Sequence, residues 1–300
     1  MDPLAAGVVV VALGLDLGVG EWPARLHPVA AYGRVLDSCS GMPGPPSVLG
    51  AVIAIGLPIG AAVVSYGITD WGGRLHPVFG AVVAALALFS TTSRRMLVDE
   101  ARTVISASAR EPDRARNALP ALAGRNPEDL TPGELRSAAV ESGAENLADG
   151  LVGPLVGFAL GAVVSLPLAV AATVWMKAVN TGDSMLGYES NPLGWAPARL
   201  DDAVQWLPAR LTAVILTVVS RRPGALVRAR AWARRPRSPN AGWPMATIAA
   251  ILEVQLRKPD AYRLNPDAPL PTPSAADRGI ALVNRGGLFA FVATGVIVWV

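Results

Sequence analysis

Three carboxylates recur at helical spacing in one segment, AVESGAENLADG. Glu141, Glu145 and Asp149 stand four residues apart, which places them on one face of a helix. Like charges stacked in this way repel each other, so the pattern indicates a cation or a cationic group held between them. The alternative is an acidic helix face in contact with water. The apolar segment that follows favours the first interpretation, because ionisable groups at a membrane boundary are costly and tend to be functional.

Polar side chains that could bind phosphate, metal or an amine are concentrated in three further segments, which are MKAVNTGDSMLGY, WAPARLDDAVQWLPARLT and SPNAGWPM. The residues that stand out in them are Lys177, Asn180, Asp183, Ser184, Tyr188, Arg199, Asp201, Asp202, Arg210, Asn240 and Trp243. Each segment alone is also typical of an ordinary polar loop or of an arginine paired with a nearby aspartate. The sequence contains no G-x-x-x-x-G-K-[ST] motif, so a P-loop does not hold any phosphate that binds here.

The two histidines of the chain, His27 and His76, both lie in the sequence RLHPV. The repeat is compatible with a duplicated functional loop, with a two-histidine metal site or with a chance likeness. A paired zinc site lacks an obvious third ligand nearby, and a histidine before a proline is equally suited to hold a loop. The single cysteine, Cys39, excludes an internal disulfide and a cysteine-based zinc site.

The composition indicates a membrane protein, because charged residues make up only 16% of the chain, whereas soluble domains carry about 25%. Apolar stretches cover 1–20, 48–65, 78–92, 151–174, 211–220 and 286–300. The second and fourth are long enough to span a bilayer as helices, the first is acceptable and the others are short. The first stretch has no positively charged leader, so we expect it to be retained.

No convincing strand pattern occurs, and the polar stretches also favour helices. Residues 93–110 form an amphipathic run, Glu111-Pro112 breaks it, and Thr131-Pro132 is typical of a new helix start. We therefore predict an all-α fold, a polytopic integral membrane helical bundle with polar cytoplasmic helices and loops, forming a single domain over 1–300. Residues 221–237 contain seven arginines and no acid, which predicts a cytoplasmic location or, alternatively, contact with anionic lipid headgroups.

Taken in order, the blocks AVESGAENLADGLVGPL, KAVNTGDSMLGY, GWAPARLDDAVQWLPARLT and SPNAGWPM resemble the successive signature blocks of the CobD/CbiB family, the adenosylcobinamide-phosphate synthases of cobalamin biosynthesis. The segment DLGVGEWPARLHPVAAYGR resembles the family's N-terminal block, through His27-Pro28-Val29 and Gly33-Arg34. The resemblance covers most of the chain and is weakest between about residues 41 and 130.

This resemblance implies an integral membrane enzyme that joins adenosylcobyric acid, through a propionate carboxylate, to the amine of aminopropanol phosphate or a related amino alcohol phosphate. ATP is the implied co-substrate and Mg²⁺ the implied metal. Such a ligase would convert the carboxylate to an acyl phosphate and position a neutral amine for attack. The expected partners are the two substrates and the lipid bilayer, with no nucleic acid. A second copy of the chain or other corrin-pathway enzymes are further candidates.

Site residues follow from the same resemblance. The candidate catalytic residues are Glu141, Glu145, Asp183 and Lys177. The candidate Mg²⁺ ligands are Glu141, Glu145, Asp149, Asp183, Asp201 and Asp202. The candidate substrate-binding residues are His27, Arg34, Asn146, Asn180, Ser184, Tyr188, Arg199, Arg210, Asn240 and Trp243. His27 is preferred to His76 because His76 has no counterpart in the family pattern.

Topology sets a further constraint, because ATP is cytoplasmic. If 151–174 and 211–220 both span the membrane, the block at 175–205 faces the side opposite to its partner blocks. We therefore predict that these two segments form a helical hairpin entered from the cytoplasm, or are buried in the bundle, with Pro154, Pro167 and glycines breaking the helix. The alternatives are a transporter or corrinoid-binding membrane protein without catalysis, and a subunit that organises other pathway enzymes.

Overall fold

The computed structural model of the chain describes residues 3–23, 25–124, 126–188 and 190–300, and it is almost entirely helical. The α-helices are α1 (Pro3–Gly18), α2 (Pro28–Ser40), α3 (Pro46–Leu75), α4 (Pro77–Thr91), α5 (Arg94–Ala107), α6 (Pro112–Ala118), α7 (Pro132–Leu147), α8 (Gly153–Ala162), α9 (Leu166–Leu186), α10 (Trp195–Val204), α11 (Trp206–Ser220), α12 (Gly224–Ala229), α13 (Gly242–Leu252) and α14 (Pro273–Trp299). A 3₁₀ turn (Leu119–Ala121) follows α6 and a π-helical turn (Ala148–Val152) follows α7. The predicted all-α class is confirmed.

The described residues contain one small sheet, a hairpin of β1 (Leu256–Lys258) and β2 (Tyr262–Leu264). The strands are antiparallel, with Leu256 opposite Leu264. Asp260 in the connecting turn has a φ of 58°, a left-handed conformation that aspartate tolerates better than most residues. Three-residue strands show too little alternation to be recognised in a sequence, and this hairpin was not predicted.

Several helices begin at short local signals that can be recognised in the sequence. Proline stands in the first turn of α2, α3, α4, α6 and α7, where its missing N–H costs nothing and its fixed φ suits the helix. At α7 the predicted start is confirmed by a complete capping box: Thr131 Oγ1 accepts the Glu134 N–H at 3.4 Å, and Glu134 Oε2 accepts the Thr131 N–H at 3.0 Å.

Among the described residues, three helices are long and apolar enough to cross a membrane, namely α3, the run Pro77–Ala107 and α14. A fourth span arises if α10 and α11 form one broken span. The stretch 48–65 predicted a span, and α3 bears this out. The stretches 78–92 and 286–300 are short by themselves, but the first belongs to the run Pro77–Ala107 and the second to α14, and both of these reach sufficient length. The helix α1 has 16 residues and is counted only as a shorter apolar helix.

The stretch 151–174, predicted as a good span, is instead a hairpin of two antiparallel helices. The chain turns after α8, and the Ser165 hydroxyl caps α9 by accepting the Leu168 N–H at 3.3 Å. Gly157 and Gly161 allow the close packing, since a Cβ at Gly161 would stand 2.5 Å from the Leu168 carbonyl oxygen. This G-x-x-x-G spacing lets helix backbones approach each other. The turn between α8 and α9 thus makes a hairpin that the sequence did not predict, and the pairing of 151–174 with 211–220 stays a prediction.

The chain divides into two compact units, each built from separated segments. Unit 1 comprises Met1–Ser93, Asp149–Gln205 and Ala290–Val300, and unit 2 comprises Arg94–Ala148 and Trp206–Phe289. Within unit 1, Leu36, Ile53 and Leu186 form a buried cluster. Within unit 2, Leu135 of α7, Leu216 of α11 and Ile248 of α13 are fully buried. The prediction of a single domain over 1–300 stays a prediction.

Candidate functional site

Lys177 of α9 is the common electrostatic partner of three carboxylates of unit 1. It is partly buried, and its ammonium interacts electrostatically with the carboxylates of Asp149, Glu21 and Asp201. Burial lowers the pKa of Lys177, and the three carboxylates oppose that change. The Lys177 ammonium thus interacts with acids from three separate parts of the chain.

Asp149 reaches this cluster from the π-helical turn Ala148–Val152. The regular helix α7 ends at Leu147, so Asp149 lies in the π-helical turn and not on α7, and the prediction of one face shared with Glu141 and Glu145 stays a prediction. Gly150 in the same turn is buried, and a Cβ placed on it would stand 4.0 Å from Lys177 Nζ. Such π-turns are rare and often mark functional sites.

Asp201 of α10 extends the cluster with further carboxylates. It is buried, interacts electrostatically with Asp183 and Asp202, and lies beside the side chains of Asn180 and Gln205. The Asp183 carboxylate packs over the end of α9, where a Cβ on Gly187 would come within 1.9 Å of Asp183 Oδ1. A side chain at position 187 would therefore displace the Asp183 carboxylate.

Four predicted substrate-binding residues of unit 1 are exposed. Arg34, Ser184, Tyr188 and Arg199 all point to the outside of the unit. Ser184 donates to the Asn180 carbonyl at 2.9 Å, and Arg199 pairs with Asp202 at 3.4 Å. These contacts are local and do not by themselves indicate a ligand. The substrate-binding assignments stay predictions.

The histidines of the two RLHPV copies cap the following helices in the same way. His27 Nδ1 accepts the Val29 N–H at 3.1 Å at the start of α2, and His76 Nδ1 accepts the Val78 N–H at 3.2 Å at the start of α4. Both histidines therefore cap a helix that begins with proline. They differ at the second ring nitrogen, because His27 Nε2 lies 2.8 Å from Glu21 Oε1, whereas the exposed His76 ring packs edge-on against Phe79.

An apolar cavity of about 460 Å³ in unit 1 borders this cluster. Its wall is formed by side chains of α3, α4 and α9 together with Trp22 and Tyr32, and Lys177 and Thr181 also line it. Burial raises the pKa of Tyr32 to about 12, with a smaller contribution from nearby Cys39. The phenol therefore stays protonated at neutral pH. A cavity of this size, largely apolar with a few polar groups, is typical of a small-molecule site.

In unit 2, Glu141 is fully buried and accepts a hydrogen bond from the Tyr262 hydroxyl at 2.7 Å. Glu145 and Asn146 are partly buried on the last turn of α7, and the Asn146 amide donates to the Ser142 carbonyl. Glu141 belongs to unit 2 and Asp149 to unit 1. The contacts of Glu141 are therefore those within unit 2, and the contacts of Asp149 are those within unit 1.

Arg210 holds the SPNAGWPM segment of unit 2 in place. Its guanidinium donates to Asn240 Oδ1 and to the Pro239 carbonyl, and it stacks against the rings of Trp206 and Trp243 at 4.7 and 5.4 Å. Cation–π contacts of this kind stabilise an arginine where it is partly buried. Arg210, Asn240 and Trp243 are thus brought together, as the sequence blocks predict, although much of the hydrogen-bonding capacity of Arg210 is used on the protein itself.

Among the described residues, no group of three or more histidine, cysteine, aspartate or glutamate side chains is arranged to hold a metal ion. The Mg²⁺-ligand assignments therefore stay predictions. Three contributors were missed at the sequence level: Glu21, Gln205 and Tyr262. Glu21 offered a signal, because it precedes His27 by six residues in the same block. Tyr262 offered none, since it lies in a polar segment far from Glu141.

The structure defines an all-α protein with helices able to cross a membrane and with a partly buried charged cluster built from separate sequence blocks. Residues 9–281 match the family described as CobD/Cbib protein, and the chain belongs to this family. It is 32% identical to the probable cobalamin biosynthesis protein CobD of Methanothrix thermoacetophila, over 97% of this chain and 96% of the relative.

Two further relatives are named cobalamin biosynthesis protein CobD. The Rhodobacter capsulatus protein is 33% identical over 98% of both chains, and the Mycobacterium tuberculosis protein is 36% identical over 86% of this chain and 82% of its own. No solved structure matches the chain.

Proposed function

We propose that the chain is an amide-forming ligase of late cobalamin biosynthesis. It would join a propionate carboxylate of adenosylcobyric acid to the amine of an amino alcohol phosphate of the aminopropanol phosphate type, giving adenosylcobinamide phosphate. ATP is the co-substrate and Mg²⁺ the metal. Membership of the family and the names of the relatives support a role in cobalamin biosynthesis. The reaction itself is the proposal.

The observation that carries this proposal is the meeting of three signature blocks at Lys177. Asp149, Lys177 and Asp201 come from LADG, KAVNTGD and RLDD, and they interact although they are far apart in the sequence. A carboxylate is a poor acyl donor, and ATP-dependent activation develops negative charge on phosphoryl oxygens. A positioned ammonium beside carboxylates fits such a reaction, since the cation binds anionic oxygens and a carboxylate can accept the proton of the amine.

Mg²⁺ fits the carboxylates of unit 1. This ion keeps several waters and is usually bound by one or two carboxylates together with substrate phosphates, so a complete protein cage is not required. The Asp201 carboxyl interacts unfavourably with the carboxylates of Asp183 and Asp202, and a cation beside it would relieve this repulsion. Two of them would hold the ion, which supplies charge neutralisation on the phosphates when bound. Asn180 would orient Asp201, and Lys177 would hold a phosphate or carboxylate oxygen of a substrate.

We also propose a multi-pass protein with its site on the cytoplasmic side. The hairpin of α8 and α9 supports this arrangement, because an antiparallel pair returns the chain to the side from which it entered. The ten residues of α8 are about 15 Å long, roughly half of the 30 Å hydrocarbon core. The Asp149 and Lys177 segments therefore need not lie on opposite faces of the membrane.

The alternative is a membrane protein that binds or transports a corrinoid without catalysis, and the apolar cavity of unit 1 is the observation that favours it. ATP dependence separates the two functions. Purified protein is incubated with adenosylcobyric acid, aminopropanol phosphate and Mg²⁺, with or without ATP, and the product is measured by mass spectrometry. The ligase predicts amide product only with ATP. Binding of the corrinoid without product under all conditions would support the alternative.

A subunit that organises other enzymes would use the arginine-rich segment 221–237 as its docking surface. Part of this segment is occupied within unit 2, because Arg222 and Arg228 donate to the carbonyls of Ile251 and Ala250 at the end of α13. Removing all seven arginines would therefore also remove contacts that stabilise the unit. A fair test replaces only Arg221, Arg230 and Arg234, and the organising role predicts lost activity in cells with normal activity of the purified protein.

A further inference from the structure

The β-hairpin of unit 2 contacts one face of α7. Glu134, Ser137 and Glu141 stand three and four residues apart, which places them on a single face over about two turns. Arg257 of β1 donates from Nε and Nη2 to Glu134 Oε1 at 3.0 and 2.7 Å, and its backbone N–H donates to Ser137 Oγ at 2.8 Å. Tyr262 of β2 donates to Glu141 Oε1 at 2.7 Å. The two strands therefore hold α7 at three points along this face.

The hairpin is also held in place by contacts of its own. The Asn265 amide donates to the Val254 carbonyl at 3.2 Å, and the Gln255 amide donates to the Pro266 carbonyl at 2.7 Å. These two bonds join the ends of the hairpin, and the opposed leucines of β1 and β2 are fully buried. Tyr262 therefore reaches α7 from a backbone whose conformation does not depend on the tyrosine hydroxyl.

The Tyr262 hydroxyl contacts two of the segments that contain candidate site residues. Besides Glu141 Oε1 of α7, it lies 3.9 Å from Met245 Sδ of α13, in the segment SPNAGWPM. A hydroxyl has one proton, and a carboxylate is a much stronger acceptor than a thioether, so the proton is donated to Glu141. The hydroxyl thus fixes one oxygen of a fully buried acid at the place where these two segments approach each other.

Glu134 and Glu141 are both buried on α7, but the hairpin offers them donors of different charge. Glu134 pairs with the Arg257 guanidinium and completes the capping box with Thr131, a structural role that accounts for its burial. Glu141 receives a neutral hydroxyl from the hairpin. A buried carboxylate needs hydrogen-bond donors, and a neutral donor orients it without cancelling its charge. This contact therefore leaves the charge of Glu141 available to a cation or an amine.

We propose that Tyr262 is a positioning residue for Glu141, and that the hairpin serves to place its hydroxyl. The hydroxyl fixes the direction of the Glu141 carboxylate, the candidate base or Mg²⁺ ligand, without touching a substrate. The contribution of Tyr262 to turnover rests on the proposed ligase function, whereas its hold on the carboxylate does not.

A kinetic mutant cycle tests the contribution to turnover. In the purified full-length protein with adenosylcobyric acid, aminopropanol phosphate and Mg-ATP, Tyr262→Phe should lower kcat by about tenfold and leave KM nearly unchanged, since a hydrogen bond to a charged group contributes on this scale. In the Glu141→Gln background the same substitution should lower kcat by less than about twofold, because the residue that Tyr262 positions no longer acts. Tyr66→Phe is the matched control, since Tyr66 is exposed on α3, and it should leave kcat unchanged.

Thermal unfolding in detergent tests the contact without any substrate. Tyr262→Phe should lower the thermal midpoint of the wild-type protein but not that of Glu141→Met, where the hydroxyl has lost its acceptor. Equal losses of kcat in both backgrounds of the kinetic cycle, or equal shifts of the midpoint in both backgrounds here, would overturn the inference. If Glu141→Met does not fold, the kinetic cycle decides. A midpoint that depends on both residues in a protein that makes no amide would contradict the proposed ligase function and leave the hold of Tyr262 on the carboxylate intact.

Discussion

At the residue scale, sequence patterns predict which residues belong to the charged cluster but not which residues they contact. The blocks containing Lys177, Asp183 and Asp201 mark residues that the fold does bring together. Their partners depend on contacts between distant segments. Glu21 joins Lys177 across more than half of the chain, and Glu141 meets Tyr262 on a strand too short to be recognised. Helix periodicity describes only neighbours on one helix, so it contains no information on these contacts.

Two acids are predicted to be essential for turnover. Glu141→Gln and Asp183→Asn should each reduce turnover by at least about a hundredfold while the protein remains inserted, because a lost metal ligand or base removes transition-state stabilisation on that scale. Tyr262→Phe is the control for Glu141, since it removes the hydroxyl that donates to the carboxylate without removing the carboxylate. Near-normal turnover of the acid variants at saturating Mg²⁺ would contradict both assignments.

The buried pair of Glu134 and Arg257 predicts a pH dependence of stability. Burial opposes the ionisation of Glu134, but hydrogen bonds from Thr131 and Arg257 outweigh it and hold its pKa below the ordinary value of 4.5. A carboxyl whose pKa is lower in the folded state stabilises the fold fully above its unfolded pKa and loses that contribution as the pH falls through its folded pKa. Glu134→Gln should therefore lower the thermal midpoint at pH 7, and the difference from wild type should shrink at acidic pH.

The exposed pair of Arg222 and Glu253 is the control for this measurement. Its side chains are 53% and 70% exposed, compared with 31% and 6% for Arg257 and Glu134. Exposed ion pairs contribute little to stability, so Glu253→Gln should leave the midpoint nearly unchanged at either pH. Equal effects of the two substitutions at pH 7 would show that the capped and buried environment of Glu134 does not matter.

At the element scale, the helix starts and the break before Pro112 were predictable, whereas the antiparallel packing of α8 on α9 was not. Thr131-Pro132 and Glu111-Pro112 carry their signals in a few adjacent residues, and helices begin at Pro132 and Pro112. The break between α8 and α9 lies in a long apolar run, where hydrophobicity is the same for one span and for a hairpin. What distinguishes them is the packing of Gly157 and Gly161 against the α9 backbone, which becomes visible only when the partner helix is known.

The hairpin predicts unequal effects of two glycine substitutions. Gly161→Ala should destabilise the protein by roughly 1–3 kcal/mol, because its methyl group would press on the backbone of α9 and force the helices apart. Gly60→Ala is the matched control, since Gly60 lies inside α3 and a Cβ there meets nothing within 4 Å. Thermal unfolding in detergent measures both. A stable Gly161→Ala variant would mean that the hairpin is more loosely packed than the structure shows.

At the scale of the whole molecule, composition and apolar stretches were sufficient to predict an all-α membrane protein. They were insufficient to predict the path of the chain through a membrane. Some short apolar stretches belong to helices long enough to span, and one long stretch is divided into two helices. The run Pro77–Ala107, formed by α4 and α5, and the helix α14 extend into polar sequence beyond their apolar stretches, whereas 151–174 is divided by a turn. The membrane side of each polar segment depends on these differences.

The proposed topology predicts that Ser190 faces the cytoplasm. A single cysteine is introduced by Ser190→Cys after Cys39→Ala removes the only natural thiol. The exposed position 190 should then react with a membrane-impermeant maleimide in inverted membrane vesicles and stay unreactive in intact cells. The Cys39→Ala parent gives the background signal. Reaction only in intact cells would place the 175–205 block outside and contradict a cytoplasmic site.

The central claim, ATP-dependent amide formation through an activated carboxylate, is tested most directly by oxygen transfer. Adenosylcobyric acid is labelled with ¹⁸O in its free propionate carboxylate and incubated with the purified protein, aminopropanol phosphate and Mg-ATP. If the carboxylate is converted to an acyl phosphate before the amine attacks, the C–O bond to the phosphoryl group breaks and one ¹⁸O leaves with phosphate. The account predicts one labelled phosphate for each adenosylcobinamide phosphate formed. Absence of amide product, or amide formed with unlabelled phosphate, would contradict it.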